Sequence, residues 1–388
     1  MNAGTDDGAG VGRGPDSAIV VGAGVLGASL AWRLARADVR VTLVDQHGPG
    51  DPRGSSGGES RLIRCAHGPD PDYTASARRA RELWRELEAE SGEAVFEECG
   101  VAWFARREDG WEAESAMALQ AQGIPAERLE PDAATGLFPS LRTDDLAFVL
   151  LEPEAGVLRA ERGVRALAHA AEASGARVVR AQAHPDGDAV ALDDGSRLAA
   201  DVVLWACGPW LGALFPAEVA LRVTRQDLFF FAAPPDWGPA GAPGWVDFDA
   251  AIYGTGDLDG HGVKVAPDAE GPDLAAEDPL PPVDPANERD ARTYLAHRFP
   301  ALAGAALRSS RTCRYELSPD GHFIAAPRAG QPAHWLIGGG SGHGFKHGPA
   351  LAEAILAALR DGSALPDAYA LGRRSPGRSL RTAGSGTG

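Results

Sequence analysis

Cysteine is scarce in this chain. Four occur in 388 residues, Cys65, Cys99, Cys207 and Cys313, far apart and with no Cys-x-x-Cys pair. That spacing argues against a disulfide framework or a metal site and for a reducing, cytoplasmic compartment. No apolar run approaches the length of a membrane span. Residues 1–16 are rich in Gly and Asp and have no apolar centre, so neither a signal peptide nor an anchor is expected there. Positive charge is also short: 37 Lys and Arg stand against 54 Asp and Glu, a net charge of −17. A surface of that sign repels nucleic acid and anionic membrane, and neither is expected as a partner. Lysine and methionine are few, a compositional bias that names no function, and there are no internal repeats. With 44% apolar and 23% charged residues the chain is an ordinary globular sequence, long enough for one large or two ordinary cores.

The organising stretch is Ser17-Ala-Ile-Val-Val-Gly-Ala-Gly-Val-Leu-Gly-Ala-Ser-Leu-Ala-Trp-Arg-Leu. An apolar run breaks into Gly22, Gly24 and Gly27, then turns helical in period, with Leu26, Leu30 and Leu34 on one face. A second apolar run, Val39 to Val44, ends on Asp45. Strand, glycine turn, helix and acid-ended strand form the dinucleotide-binding fingerprint. Gly22 allows the turn, Gly24 lets backbone approach a pyrophosphate and Gly27 lets helix and strand pack closely. The helix N-terminus, with Val25 and Leu26, offers free N–H groups to the anion. Asp45, followed by Gln46, is placed to accept hydrogen bonds from a ribose.

Downstream, residues 46–60 read as a loop, 73–91 as a helix, and 95–106 as a strand pair around Gly100. Residues 112–130 read as a helix and short loop, 146–151 as a strand, 152–158 as a turn and 161–174 as a helix stopped by Gly175. Two strands flank Asp186-Gly187, and residues 202–208 form a buried strand ending in a loop. From Leu221 to about Thr312 the pattern becomes mostly antiparallel, with one helix around 288–298. A strand then enters the glycine-rich turn 338–344, followed by a helix over 349–360. The expected architecture is α/β: a discontinuous Rossmann-like nucleotide domain (17–92, 150–220 and 313–371) and an α+β substrate domain (93–149 and 221–312) with a mixed, largely antiparallel sheet. Residues 1–16 and 372–388 are expected to be disordered tails.

Three further stretches narrow the chemistry: Gly54-Ser-Ser-Gly-Gly-Glu-Ser-Arg-Leu-Ile-Arg64, Arg311-Thr-Cys-Arg-Tyr-Glu-Leu-Ser-Pro-Asp-Gly-His-Phe-Ile324 and Ile337-Gly-Gly-Gly-Ser-Gly-His-Gly-Phe-Lys-His-Gly348. At these residues the chain resembles the monomeric sarcosine oxidase and N-methyltryptophan oxidase family, part of the wider D-amino-acid-oxidase-like flavoproteins. The resemblance runs from about Ala18 to Ala370, and the Ser-Gly-His-Gly-Phe-Lys block with an upstream Cys-x-Tyr is far more specific than the glycine fingerprint. It implies FAD, held covalently through a thioether from Cys313 to the ring 8α-methyl. A thioether there fixes the ring and raises its reduction potential. It further implies that Arg64 and Lys346 clamp a substrate carboxylate, which needs cationic donors in a partly dry pocket. It implies that Lys264, on the strand Gly262-Val-Lys-Val-Ala, activates dioxygen electrostatically. Independently of the resemblance, the turn through Gly342, His343, Gly344, Phe345 and Lys346 aims N–H groups at a flavin edge where negative charge grows on reduction. Of the early arginines, Arg61 is the cofactor-facing one, with Ser55 beside it. Tyr315 and Tyr253 match pocket tyrosines of the family.

Two departures concern the substrate. A family histidine in the early loop is replaced where Gly57-Gly58 stands, and a second falls at or near Asp268. They leave the flavin and oxygen residues standing and put sarcosine itself in doubt. His343 and His347 are four apart like a zinc pair, but no third ligand is spaced to help. The expected function is an FAD-dependent amine oxidase that takes the C–N bond of a secondary or N-methyl amino acid to an imine, with dioxygen reduced to hydrogen peroxide. Lys264, Arg64, Lys346 and Tyr315 carry the reaction. The alternatives are a cyclic imino-acid oxidase of a biosynthetic pathway, a dehydrogenase passing electrons to a carrier, and a non-catalytic flavin-binding protein. The partners expected are a small amino or imino acid and dioxygen, for a monomer or weak homo-oligomer.

Overall fold

The computed structural model describes residues 14–372 and 374–375. The first apolar run becomes the strand Ser17–Val21 inside a six-stranded sheet, in the order Ile324–Arg328, Gln331–Gly338, Val202–Trp205, Ser17–Val21, Arg40–Asp45, Arg177–Arg180. All neighbours run parallel except the edge strand Ile324–Arg328. A parallel sheet is covered on both faces, which is why these strands read as unbroken apolar runs. The helix Val25–Ala35 packs against the helices Ala160–Ala173 and Gly348–Asp361, burying Leu30, Trp32 and Leu34 completely. Each such side chain contributes about 1.5–3 kcal/mol. Gly27 permits the close approach of helix to strand: a Cβ there would lie 1.8 Å from the Gly22 carbonyl oxygen.

The second large sheet has eight strands in the order Leu307–Leu317, Arg222–Phe231, Val263–Pro267, Ile252–Thr255, Gly244–Asp247, Val101–Ala105, Phe148–Glu152, Glu127–Leu129. Its pairs are antiparallel except Gly244–Asp247 with Val101–Ala105, so the sheet is mixed as expected. One face holds a core of Phe229, Phe231, Trp245, Val263 and Val265. The period-two alternation then sends Lys264 to the opposite face, where Cys313, Tyr315, Leu228 and Tyr253 cluster.

The structure differs from the sequence reading in several places. The two strands around Gly100 do not pair with each other: Phe96–Glu97 joins a small sheet with Gly156–Arg159, while Val101–Ala105 enters the eight-stranded sheet. Gly100 has φ +80°, and this left-handed residue redirects the chain from one sheet to the other. The stretch read as a turn, 152–158, contains most of the strand Gly156–Arg159, and the loop before 130 contains the strand Glu127–Leu129. Strands of three or four residues are too short to show a periodicity. The expected domain boundaries at 149/150 and 312/313 fall inside Phe148–Glu152 and Leu307–Leu317, both in the eight-stranded sheet. Of the expected tails, Asp16 hydrogen bonds through its backbone N–H to Asp201, and Arg374 binds Asp320 and the Phe323 carbonyl. Residues 1–13, 373 and 376–388 lie outside the described residues.

Candidate active site

The glycine turn builds the first half of the site. Gly22 takes φ +103°, and a Cβ there would strike the Ala206 carbonyl oxygen at 2.3 Å. At the helix start the Val25 N–H donates to Ser56 Oγ at 2.9 Å, a cap from the following loop that sequence reading missed. Asp45 accepts from the backbone N–H groups of Ala23, His47 and Gly48 at 2.6–2.7 Å, so it ties both turns together as well as facing the cavity. That cavity, about 400 Å³, is lined by Gly22, Gly24, Val25, Leu26, Asp45, Gln46, Ser55 and Arg61. It is also lined by Tyr315, Glu316, Gly342, Gly344 and Phe345, from strands and turns some 300 residues away in sequence (315 − 22 = 293). Gly27 lies beneath this floor, and Cys313, His343, Lys346, Lys264, Arg64 and Tyr253 are outside its lining. Arg61 spans the loop, donating to Ser60, Ser55 and Gly57 carbonyls, with its guanidinium 5.6 Å from the Phe345 ring centre.

Lysine occurs twice in the chain, and both side chains are buried here: Lys264 is 0% exposed and Lys346 2%. Lys264 Nζ donates to the Ser60 carbonyl at 2.9 Å and lies 5.0 Å from the Tyr253 ring centre. Burial, followed by the charges of Arg61 and Arg311, pushes its ammonium down to about 7, with Glu59 opposing. Glu59 is itself held by Arg311 at 2.8 Å. Lys346 Nζ donates to the His343 carbonyl at 3.0 Å, and burial with the nearby Arg64 charge holds it well below the ordinary lysine range.

Arg64, 7% exposed, stacks its guanidinium 4.8 Å from the Trp103 ring centre and 5.8 Å from that of Trp111, and donates to the Ala66 carbonyl. Burial lowers it to about 10, while Glu152 and Asp268 hold the charge. Glu152 is buried and accepts from Cys65 N–H, Ala66 N–H and Trp103 Nε1. Its one sequence signal is an acid closing an otherwise apolar strand. Tyr315 Oη donates to Asp268 Oδ1 at 3.1 Å, and Tyr253 packs beside Tyr315 and Cys313. The side chains of Cys313 and Tyr315, two apart on one strand, share that face, and Cys313 is 4% exposed.

A third imidazole joins the pair noted in the sequence. His67, His343 and His347, all buried, bring one ring nitrogen each to within 4.8 Å of one another. The absence of a third ligand in local sequence was therefore no ground for excluding a metal; His67 arrives through tertiary structure. His67 and His347 can also satisfy one another as neutral imidazoles. His67 Nδ1 meets the Cys65 carbonyl at 3.0 Å, its Nε2 meets His347 Nε2 at 3.3 Å, and His347 Nδ1 meets Ser76 Oγ at 3.0 Å. Proton donation from His67 to the carbonyl, His347 to His67 and Ser76 to His347 satisfies that chain without a cation. Burial, then Lys346, holds His67 and His347 well below the ordinary histidine range.

The donor set of the cavity fits FAD. Ser55 Oγ and Glu316 Oε2, on residues lining it, are buried without a partner among the described residues. Such orphans cost free energy unless a hydroxyl- and phosphate-bearing ligand engages them. Burial raises the Glu316 carboxyl to about 7.

The chain is similar to known proteins in sequence and in fold. Monomeric sarcosine oxidase of Bacillus sp. (strain B-0618) is 30% identical over 360 residues, covering 87% of this chain and 90% of that protein. N-methyl-L-tryptophan oxidase of Salmonella arizonae is 29% identical over 347 residues, covering 86% and 92%. Among solved structures, L-proline dehydrogenase from P. horikoshii superposes with a TM-score of 0.80 at 19% identity, covering 92% of this chain and 97% of that one. NikD, an unusual amino acid oxidase essential for nikkomycin biosynthesis, superposes with a TM-score of 0.76 at 22% identity, covering 92% and 96%. The family described as FAD dependent oxidoreductase matches residues 17–359, and this chain, an FAD-dependent oxidoreductase, belongs to it.

Proposed function

We propose that the enzyme oxidises the C–N bond of an amino acid with a secondary or N-methyl amine to the imine, which water hydrolyses, and that dioxygen leaves as hydrogen peroxide. The observation that carries this reading is the placement of the chain's two lysines. Lys346 lies buried within reach of the Arg64 charge, and Lys264 lies buried beside the Tyr253 ring within reach of Arg61 and Arg311. Bound FAD supplies a two-electron acceptor for the hydride on the α- or N-methyl carbon and passes the electrons on to dioxygen. The residues present would hold it through Gly22, Gly24 and Asp45 at the adenosine end and through Gly342, Gly344 and Phe345 at the ring.

Arg64 and Lys346 receive the substrate carboxylate. Arg64 is pre-positioned by Trp103 and Trp111, so little side-chain entropy is lost on binding. Lys264 offers positive charge in a dry site, where its field acts at full strength on the anion formed as dioxygen takes up electrons. Cys313, on the same face as Tyr315, is the residue that would carry a covalent thioether to the cofactor. The four free thiols Cys65, Cys99, Cys207 and Cys313 suit a reducing compartment, for which we propose the cytoplasm. No helix among the described residues is long and apolar enough to cross a membrane.

The test is peroxide release across a panel of N-methyl and cyclic secondary amino acids, each with its primary-amine counterpart. Turnover of secondary amines is expected; a panel-wide blank from flavin-loaded protein overturns the reading.

A further inference from the structure

Asp268 brings a second buried carboxylate to the neighbourhood of Arg64. It is 7% exposed and directly follows the strand that carries Lys264, with its backbone N–H donating to the Ala251 carbonyl at 2.7 Å. Tyr315 Oη donates to its carboxylate at 3.1 Å, and Tyr315 in turn lines the cofactor cavity. Arg64 lies within electrostatic reach of it in a pocket with little water to screen the two charges. Yet Arg64 already has Glu152 as a buried counter-charge, and Glu152 is fixed by two backbone N–H groups and an indole. One guanidinium therefore feels two carboxylates, one anchored in the scaffold and one joined to the cavity wall through Tyr315.

We infer that Asp268 receives the substrate's amino group as an ammonium, so that the pocket selects zwitterionic amino acids over carboxylates of the same shape. This rests on the amine-oxidase reading above and adds a second anchor to it. An α-carboxylate and its amine are separated by one carbon, so they call for a cation and an anion in one pocket; Asp268 supplies the anion, buried and bonded at 3.1 Å to the cavity-lining Tyr315, with the Arg64 charge within electrostatic reach. A zwitterion replaces the Arg64–Asp268 attraction with two, carboxylate to Arg64 and ammonium to Asp268, and leaves no buried charge uncompensated. A plain carboxylate engages Arg64 and sets a second anion against Asp268. The bound ammonium then passes one N–H proton to the Asp268 carboxylate, giving a neutral carboxylic acid and a neutral amine whose nitrogen lone pair can assist departure of the hydride.

The experiment uses flavin-loaded enzyme without oxygen and reads ligand binding from the perturbed flavin absorbance immediately after mixing. The probes are N-methylglycine against butyrate and L-proline against cyclopentanecarboxylate, pairs in which a methylene replaces the nitrogen. Wild type is expected to prefer at least one amino acid over its partner. Asp268→Asn, which keeps the size and the acceptor for Tyr315, is expected to weaken that amino acid on the order of a hundredfold while butyrate and cyclopentanecarboxylate bind as well or better. Asp268→Glu retains the preference, and Asp268→Ser replaces the Asn variant if that variant does not hold its flavin. Equal loss for both members of a pair, no change in either, or no preference in wild type each overturns the inference. Failure of the oxidase reading shows separately, as amino acids that bind with this preference and never bleach the flavin.

Discussion

Lys264 Nζ donates to the Ser60 carbonyl at 2.9 Å, which fastens the eight-stranded sheet to the strand Ser60–Ile63 of the small sheet. This bond fixes an ammonium in a dry position, and its cost in burial is visible as the fall to about 7. Lys264→Met keeps the stem and removes the charge. Reduction of the flavin by substrate is expected to survive, while re-oxidation by dioxygen slows about 10²–10³-fold. Stopped-flow measurement of the two half-reactions separates them. If the enzyme passed electrons to a carrier instead, the variant would turn over with that acceptor at the wild-type rate.

The same lysine sets a pH dependence. Its folded value lies below the ordinary 10.5, so between about 7 and 10.5 the unfolded chain binds more protons than the folded one. Stability contributed at this position therefore rises with pH through that window and is flat below it. The oxygen step runs the other way, since it needs the ammonium: its rate is expected to fall as pH rises through and above 7. Thermal midpoints of wild type and Lys264→Met across that window check the first statement, and re-oxidation rates check the second.

Arg64→Lys removes the planar fork while keeping a positive charge. Loss of a charge-assisted bond of about 1.5–3 kcal/mol corresponds to roughly 10–100-fold weaker substrate binding. Glu152 keeps its bonds from Cys65, Ala66 and Trp103, so the fold is expected to stand. A raised KM with an unchanged thermal midpoint is the outcome that checks this; an unchanged KM places the carboxylate elsewhere.

Cys313→Ser tests the proposed thioether. Acid-precipitated wild type is expected to keep its yellow colour in the pellet, and the variant to release flavin to the supernatant. A pale wild-type pellet removes the covalent assignment.

The strand–turn–helix–strand unit was legible in the sequence because it is local: Gly22, Gly24, Gly27 and Asp45 lie within one stretch whose turn geometry demands glycine at Gly22 and Gly27. The outward turn of Lys264 was legible for the same kind of reason, since Val263 and Val265 occupy the core face. The roles proposed for Arg64, Lys346 and Cys313 came from resemblance, because no local periodicity relates residues so far apart in the chain. Glu152, Trp103 and His67 escaped notice because their partners come from other elements: Glu152, at the end of the strand Phe148–Glu152, accepts from Cys65 just past the strand Ser60–Ile63, and His67 meets His347 only when the chain closes. The false hairpin around Gly100 shows the limit from the other side, for alternation says which face a side chain takes and not which strand lies beside it.

Gly27→Ala tests whether close packing, rather than any contact with the cofactor, makes the third fingerprint glycine necessary. The added Cβ would lie 1.8 Å from the Gly22 carbonyl oxygen and 3.3 Å from the Ala206 Cβ. Backbone cannot yield as a flexible side chain does, so the helix Val25–Ala35 must move away from the strand that precedes it. Overpacking of this kind costs about 1–3 kcal/mol. That movement also carries Gly24 and Val25 out of the cavity wall, so loss of flavin affinity is expected to accompany the loss of stability. Gly304→Ala is the control, with nothing within 4 Å of its added Cβ. Lower thermal midpoint and weaker flavin retention in Gly27→Ala alone are the expected result. A variant at Gly27 that keeps both properties means the helix tolerates displacement and the glycine is not required by packing.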